Sequence, residues 1–370
     1  MSSFLPVPND VHLLSAVGDD SNGDTILAGL VSQGVGVDRI QRYRGDSPWC
    51  YIMVCSNTRT CVFQPGSEGL SVKHVRDNLT ATDGDGVDDR DRVDDEDESL
   101  VLNGFGAAHF DGRHLDASVY LAGRFDSLAI PYSVDVERPR GEGLLKLLSG
   151  ASIVLCNSEY CRLSLGLGVD DGGCFFNEKE VVGNLRRVLG EQAPRARIGL
   201  TTLGSKGSCL IILNENDAAE DSQRRWNGLD ISATTEEVNI ILEKHDKFPD
   251  SPRVIERHGA LWCDPWDNCN IIDTTGAGDV FQGAFLAALW NCAAALEQRQ
   301  QSIGEGAQVK ACRIGMAHSP LEVPVSKLVL AYALRIGTRV AGLKLNGLGS
   351  RVALPGTDEF IESELKMIMV

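Results

Sequence analysis

The chain has 370 residues, of which 43% are hydrophobic and 24% charged, an ordinary globular composition that can fill one or two α/β domains. A net charge of −17 argues against a nucleic-acid partner, and no apolar run is long enough to span a bilayer, so no membrane partner is expected. Eleven cysteines without a Cys-x-x-Cys pair exclude a zinc site of common spacing and predict reduced thiols in a cytoplasmic protein.

The amino-terminal part predicts a β-α-β unit. Residues 12–20 read as a strand that runs into a turn, and residues 23–31 read as a helix that ends near Gly34. Residues 35–40 begin a second strand.

Two β-branched and aromatic runs follow, at residues 47–55 and 59–63. The polar residues between them predict a hairpin within residues 45–65. A plain hairpin at the edge of the main sheet would have the same pattern. Residues 83–98 then contain ten acidic residues against two arginines, which predicts a solvated, disordered insertion.

The middle of the chain places polar residues after predicted strands. Residues 130–140 form a buried-strand pattern that ends in charge, and residues 143–148 form a helix. Open α/β sheets bind ligands at the carboxyl ends of parallel strands. Asp135 and Glu137 therefore either face an acceptor or cap the following helix.

Two further strands precede short loops. Residues 151–159 predict a strand and a loop, and residues 197–210 predict a strand, a glycine turn and a returning strand. Gly204 and Gly207 would suit an ordinary hairpin turn of this kind.

The most informative stretch begins at residue 270, where a short β-prone run leads through a Gly-x-Gly turn into a helix. Gly276 and Gly278 allow a sharp turn, and amides at a helix amino terminus favour an anion. Asp279 lies in the first helical turn, where the helix dipole favours an ionised proton acceptor. A plain strand-to-helix turn would share these features. Phe281 excludes a dinucleotide fingerprint, and residues 204–207 have the wrong order for a Walker A loop.

The sequence Asp-Thr-Thr-Gly-Ala-Gly-Asp at residues 273–279 resembles the signature of the ribokinase-like (PfkB) carbohydrate kinases. The resemblance implies that the amides of Gly276, Ala277 and Gly278 form an anion hole and that Asp279 is the catalytic base. Asp273 matches a position that in several members helps to bind a monovalent cation such as K⁺.

The resemblance also implies a site for ATP and Mg²⁺. Asn157 matches the first residue of an Asn-x-x-Glu element that helps to place magnesium and the triphosphate, although Tyr160 stands in place of the Glu. Thr202, Gly204 and Gly207 match a Thr-x-Gly-x-x-Gly element, which implies phosphate contact for the threonine and close backbone approach at the glycines.

For the whole chain, the resemblance implies a doubly wound, mainly parallel α/β sheet in a single domain over residues 1–370, with residues 45–65 as a small β lid. Lid strands sometimes pair between subunits in this family, which leaves a homodimer open. The family's first strand, which carries a substrate-binding Asp and a Gly-Gly-x-x-x-Asn-type motif, has no counterpart before His12, so the domain is expected to lack it.

Residues 134–140 resemble the matching segment of ketohexokinases and plant ribokinase-like proteins, which implies a small sugar substrate bound by Asp135 and Glu137. The expected activity is transfer of the γ-phosphoryl group of ATP to a hydroxyl of a ketohexose or pentose. A nucleoside kinase of the same fold would use the same base and anion hole. A non-catalytic nucleotide-binding protein would follow from the loss of the amino-terminal sugar motif.

Overall fold

The computed structural model describes residues 11–55, 58–80, 102, 105–167, 177–213, 252–267, 270–303, 312–314, 323–325 and 327–347. The predicted acidic insertion at residues 83–98 and the segment before Val11 lie outside these ranges.

The described residues form fifteen strands and eight α-helices. The strands are β1 (Val11–His12), β2 (Ser15–Gly18), β3 (Val35–Gly36), β4 (Ile40–Tyr43), β5 (Trp49–Cys55), β6 (Thr58–Gln64), β7 (Ala108–Phe110), β8 (Tyr132–Val136), β9 (Ile153–Asn157), β10 (Ile198–Thr202), β11 (Ser208–Ile212), β12 (Val254–Arg257), β13 (Ala260–Cys263), β14 (Cys312–Ile314) and β15 (Val323–Val325). The helices are α1 (Ser21–Val31), α2 (Val72–Thr80), α3 (Leu115–Ser127), α4 (Glu142–Ser149), α5 (Ser158–Ser164), α6 (Glu178–Gln192), α7 (Ala277–Ile303) and α8 (Lys327–Leu345).

The main sheet has seven strands in the order β12-β13-β11-β10-β9-β8-β7. Each neighbouring pair from β7 to β10 is parallel. Strand β11 reverses direction, β13 returns to the direction of the parallel set, and β12 runs against it. Five of the seven strands therefore share one direction, which confirms the predicted mainly parallel α/β sheet.

Strand β9 shows how the sheet is covered on both faces, because alternate side chains of a strand point to opposite sides. Ile153 and Leu155 pack in a core with α7 and α8. Val154 and Cys156 pack in a second core with α3, α4, α5 and α6. Leu155 and Val154 are fully buried, and burial of such a side chain contributes about 1.5–3 kcal/mol to stability. The helices thus lie in two layers, as expected for a doubly wound sheet.

The amino-terminal strands form small separate sheets, with β1 parallel to β3 and β2 parallel to β4. Asp20 caps helix α1, because its Oδ1 accepts hydrogen bonds from the amide of Gly23 (2.8 Å) and the hydroxyl of Ser47 (2.6 Å). The same hydroxyl oxygen accepts a bond from the amide of Gly18 (2.9 Å). These contacts lower the pKa of Asp20 and join the first strands to the chain that enters β5.

Strands β5 and β6 form the predicted hairpin, with register from Trp49 opposite Gln64 to Cys55 opposite Thr58. They make a two-stranded sheet of their own. The alternative of an edge hairpin of the main sheet is therefore wrong. Within the described helices, none is long and apolar enough to cross a membrane.

The predicted strand, glycine turn and returning strand at residues 197–210 correspond to β10, a short 3₁₀ turn at Gly204–Lys206, and β11. Gly207 has φ +84°. A Cβ atom there would lie 2.1 Å from the carbonyl oxygen of Cys263, at the end of β13. Gly204 also has positive φ, +58°, but a Cβ there would meet no atom within 4 Å.

These two glycines give a matched test of the turn. We expect Gly204→Ala to lower the free energy of unfolding by about 1–2 kcal/mol, the cost of a left-handed conformation. Gly207→Ala should lose about 1–3 kcal/mol more, because the added methyl group overlaps backbone that has no room to move. Urea unfolding of both variants measures the difference. Equal losses would contradict the close contact between Gly207 and Cys263.

Candidate active site

Polar residues gather at the carboxyl edge of the parallel strands. Asp135 of β8 is opposite Leu155 of β9, and Asn157 of β9 is opposite Thr202 of β10. Asp135, Asn157 and Thr202 therefore lie along one edge of the sheet. This is the edge at which open α/β sheets bind ligands.

Asp135 is the most unusual of these residues, because its carboxyl group is buried and the residue is only 7% exposed. Within the described residues its Oδ1 has no hydrogen-bond partner. Burial raises the pKa of Asp135 to about 7, and the negative charges of Glu137, Asp279 and Asp111 act in the same direction, whereas the side-chain amide of Gln282 lowers it. The carboxyl group is thus poised to hold or release a proton near neutral pH.

The influence of Asp279 and Gln282 places the start of α7 beside Asp135. Gln282 is three residues after Asp279, so the two share a helix face. Gln282 and Asp111 were missed by the sequence analysis. Two sequence signals could have indicated them. Gln282 follows Asp279 at i, i+3 spacing, and Asp111 comes directly after β7.

The alternative that Asp135 or Glu137 caps the next helix is wrong. The residue at the amino-terminal cap of α4 is Gly141, and no side chain bonds to the helix amides there. Glu137 is exposed just beyond β8. The structure therefore brings Asp135 together with Asp279, while Glu137 lies at the exposed rim of the same edge.

The glycine turn has the geometry that its sequence predicts. Gly276 has φ +74°, and helix α7 begins at Ala277. The amide of Ala277 donates to the carbonyl of Thr274 (3.3 Å), and Val280 donates to Gly276 (2.9 Å). In the described part of the chain, no acceptor pairs with the amides of Gly276 and Gly278, and a Cβ at residue 278 would face open space. Two amides are thus available to an anion at this helix terminus.

The strand predicted directly before this turn is not formed. The amide of Ile272 donates to the carbonyl of Leu345 (2.8 Å), and the amide of Asn270 donates to Oδ1 of Asn346 (2.6 Å). Ile271 and Ile272 are 62% and 54% exposed. The β-prone residues are held along the carboxyl end of α8 and do not join the sheet.

Asp273 meets a side chain that the sequence analysis did not single out, Lys344 of α8. The ammonium nitrogen Nζ of Lys344 donates to the backbone carbonyl of Asp273 (2.8 Å) and lies 3.9 Å from its Oδ2. Oδ1 of Asp273 accepts a bond from the amide of Thr275 (2.9 Å). The Lys344 side chain is fully buried. A lysine between two leucines at the end of an apolar helix was the only sequence signal.

Of the residues predicted to bind the nucleotide, Asn157 and Thr202 end neighbouring strands, and Gly204 and Gly207 lie in the turn after β10. Asn157 and Gly207 have a local structural role as well. Oδ1 of Asn157 accepts a bond from the amide of Tyr160 (2.7 Å) and so caps α5. The Tyr160 hydroxyl donates to Gln192 (2.7 Å) in the core. The contact with Cys263 already explains Gly207, so nucleotide binding by Asn157, Thr202, Gly204 and Gly207 stays a prediction.

Metal-binding geometry is absent from the described residues, where no group of three or more His, Cys, Asp or Glu side chains could hold an ion. The cysteines whose side chains are described (Cys50, Cys61, Cys156, Cys161, Cys209 and Cys263) are free thiols.

Comparison with solved structures identifies the fold. The chain is similar to a ribokinase from Giardia lamblia (TM-score 0.62, 17% identity, covering 99% of this chain and 84% of that one). It is similar to an Arabidopsis thaliana ribokinase complexed with ribose and ATP (0.56, 16%, 100% and 84%). It is also similar to a Burkholderia thailandensis nucleoside kinase in complex with inosine (0.52, 13%, 99% and 82%). No family model and no curated protein matches the sequence. The chain therefore has the ribokinase fold.

The raised pKa of Asp135 predicts a pH-dependent stability. The folded-state pKa of about 7 lies above the ordinary value of 3.8, so the cost of charging this group is absent below about pH 4, grows between about pH 4 and pH 7, and is constant above that range. We expect Asp135→Asn to increase the free energy of unfolding at pH 8 by up to a few kcal/mol more than it does at pH 4.

Urea unfolding at the two pH values measures this difference. The exposed Glu137→Gln is the control and should show little dependence on pH. A stabilisation by Asp135→Asn that is equal at pH 4 and pH 8 would contradict the burial of a carboxyl group whose Oδ1 has no hydrogen-bond partner among the described residues.

Proposed function

We propose that this chain is a ribokinase-like (PfkB) kinase that transfers the γ-phosphoryl group of ATP to a hydroxyl of a ketohexose or pentose. The observation that carries the proposal is that Asp135, buried at the carboxyl edge of the sheet, is hydrogen-bonded by Gln282 of α7, three residues after Asp279 at the glycine turn that begins this helix. An acceptor held by Asp135 would lie beside a carboxylate and beside the unpaired amides of Gly276 and Gly278.

The proposed reaction needs positioning and charge stabilisation more than covalent chemistry. Asp279 would accept the proton of the attacking hydroxyl. The amides at the start of α7 would stabilise the charge that develops on the transferred group. Ala277 contributes less directly, since its amide already donates within the turn.

Asp135 suits the binding of a polyhydroxyl acceptor. A protonated carboxyl group can both donate and accept hydrogen bonds, and an ionised one accepts only. With a pKa near 7, Asp135 can adjust its proton to the hydroxyl that it meets. The exposed Glu137 would contact a more distant hydroxyl at the rim.

Magnesium fits this arrangement as part of the nucleotide complex. Mg²⁺ is commonly held by one or two carboxylates and by substrate phosphates, with several waters retained. The edge offers separate carboxylates and the side chain of Asn157, and the described residues hold no closed cluster of three ligands. Asn157 and Thr202 would hold the triphosphate side of MgATP, and the ion would neutralise phosphate charge.

Removal of the proposed base is the direct test. We expect Asp279→Asn to lower ADP release by on the order of 10²-fold or more, with MgATP affinity little changed, because only the proton acceptor is lost. The assay uses a panel of ketoses, aldoses and nucleosides. Asp116→Asn is the matched control, because Asp116 is also exposed in the first turn of a helix, α3.

Each outcome of this assay discriminates between candidates. Turnover on fructose or ribose that is lost only in Asp279→Asn supports the proposal. Preference for adenosine or inosine identifies a nucleoside kinase. MgATP binding without turnover on any acceptor indicates a non-catalytic nucleotide-binding protein, and turnover that survives Asp279→Asn overturns the role of this base.

We further propose that the β5–β6 hairpin is a lid over the acceptor. Partial desolvation of the exposed Cys50 thiol and the neighbouring Cys61 raise the pKa of Cys50, while the positive charge of Arg113 acts in the opposite direction and so lies within electrostatic range of β5. Arg113 follows Gly112, whose added Cβ would lie 3.0 Å from the carbonyl of Asp135. One face of the hairpin is therefore near the loop that borders Asp135. A homodimer through such strands remains a prediction of the resemblance.

The two faces of the hairpin provide the test of the lid. Phe63 is opposite Cys50 in the register and shares its face, whereas Tyr51 lies on the other face. We expect Phe63→Ala to raise the KM for the sugar several-fold and to increase ATP hydrolysis without acceptor, because lids position substrate and exclude water. Tyr51→Ala should change neither. Equal effects of both substitutions would contradict the lid.

A further inference from the structure

We propose that Lys344 is a built-in cation behind the phosphate-binding turn, in the place where the resemblance predicts a bound monovalent ion. The inference rests on the proposed function for its catalytic meaning, but its geometry is independent of the substrate. Lys344 would act as a positioning residue, since it contacts the turn from behind and not the reacting groups.

The contacts of Lys344 show a specific fit. Its ammonium group donates to the carbonyl of Asp273 (2.8 Å) and lies 3.9 Å from the carboxylate of the same residue. The side chain has no exposed surface. A buried ammonium is costly unless oxygen atoms compensate its charge, so a lysine held in this way is anchored to those atoms.

The same aspartate reaches the anion-binding turn. Oδ1 of Asp273 accepts a hydrogen bond from the amide of Thr275, the residue before Gly276. The amide of Ile272 is bound in turn to Leu345, the residue after Lys344. Asp273 is thus held between the carboxyl end of α8 and the start of α7, and the lysine fixes the residue from which the turn begins.

The charges of the two helix ends agree with this arrangement. Lys344 lies in the last turn of α8, where the helix dipole favours a cation. The glycine turn begins α7, where the dipole favours an anion. A fixed positive charge behind the turn adds to the attraction for a phosphate group in front of it.

A potassium ion does not fit beside this ammonium group. An ion that used the carbonyl of Asp273 would lie within a few ångströms of Nζ, because both would contact the same oxygen. Two positive charges held so close together repel each other strongly where little water screens them. The lysine therefore takes over the contact that Asp273 would otherwise offer to the ion.

The test compares K⁺ with tetramethylammonium at equal ionic strength. For the unmodified protein, we expect the thermal midpoint and the affinity for MgATP to be the same in both salts. Lys344→Ala leaves a space that an ion can enter. In tetramethylammonium, its thermal midpoint and its MgATP affinity should be lower than those of the unmodified protein, and K⁺ should restore both. Lys344→Met fills the space without a charge and should not respond to K⁺.

The effect on turnover is expected to be about 10- to 100-fold in Lys344→Ala without K⁺, the usual range for a residue that orients a site from behind. Lys327→Ala is the control on the same helix, because Lys327 pairs with Glu256 near the other end of α8. In the absence of K⁺, Lys327→Ala should turn over as fast as the unmodified protein.

Two results would overturn the proposal. The first is a several-fold gain in MgATP affinity or a clear rise in thermal midpoint of the unmodified protein in K⁺. The second is a Lys344→Ala protein that matches the unmodified one or does not respond to K⁺. If Lys344→Ala fails to fold, the salt comparison on the unmodified protein and on Lys344→Arg still decides. A chain without kinase activity would defeat the proposed function, while the thermal midpoints would still report on Lys344.

Discussion

The contact between Asp273 and Lys344 fixes where the glycine turn, the proposed phosphate site, begins. Without the strand that the sequence pattern predicts, residues 270–273 depend on the end of α8 for their backbone partners. Lys344 closes this connection with a bond to the carbonyl of Asp273. Helices α7 and α8 pack together in one of the two described cores, so the turn takes its position from this apolar packing.

The proposed phosphate site lies in a chain of net charge −17 and therefore needs local compensation of that negative charge. Three features supply it in this structure. The amino terminus of α7 presents unpaired amides, Lys344 places a positive charge behind them, and Asp135 can stay protonated instead of adding a second negative charge beside Asp279. The overall acidity of the chain therefore says little about the potential at the turn, because a buried charge is screened much less than an exposed one.

The layer arrangement could be predicted because it depends on local patterns. The apolar residues of β9 divide between the two cores by simple alternation, and the turn at Gly276 needs a conformation that few residues other than glycine adopt. Residues 270–273 have the composition of a β-strand but do not form one, because their backbone partners are residues about seventy positions away. The role of Lys344 could not be predicted either, because its partner Asp273 is also about seventy positions away and a lysine near a helix end is usually solvated.

Asp135 shows most clearly what a sequence pattern leaves out. Its position in a buried-strand pattern indicated a ligand-binding edge, but its proton depends on burial, on the nearby Glu137 and on the charges of Asp111 and Asp279 from two other segments. Asp135 and Asp279 lie in different environments, one buried and one exposed. When two neighbouring carboxyl groups differ in this way, one can keep a proton while the other stays ionised. In the proposed reaction, the buried member would bind a hydroxyl as a neutral group, and the exposed member beside the proposed anion hole would accept the proton of that hydroxyl.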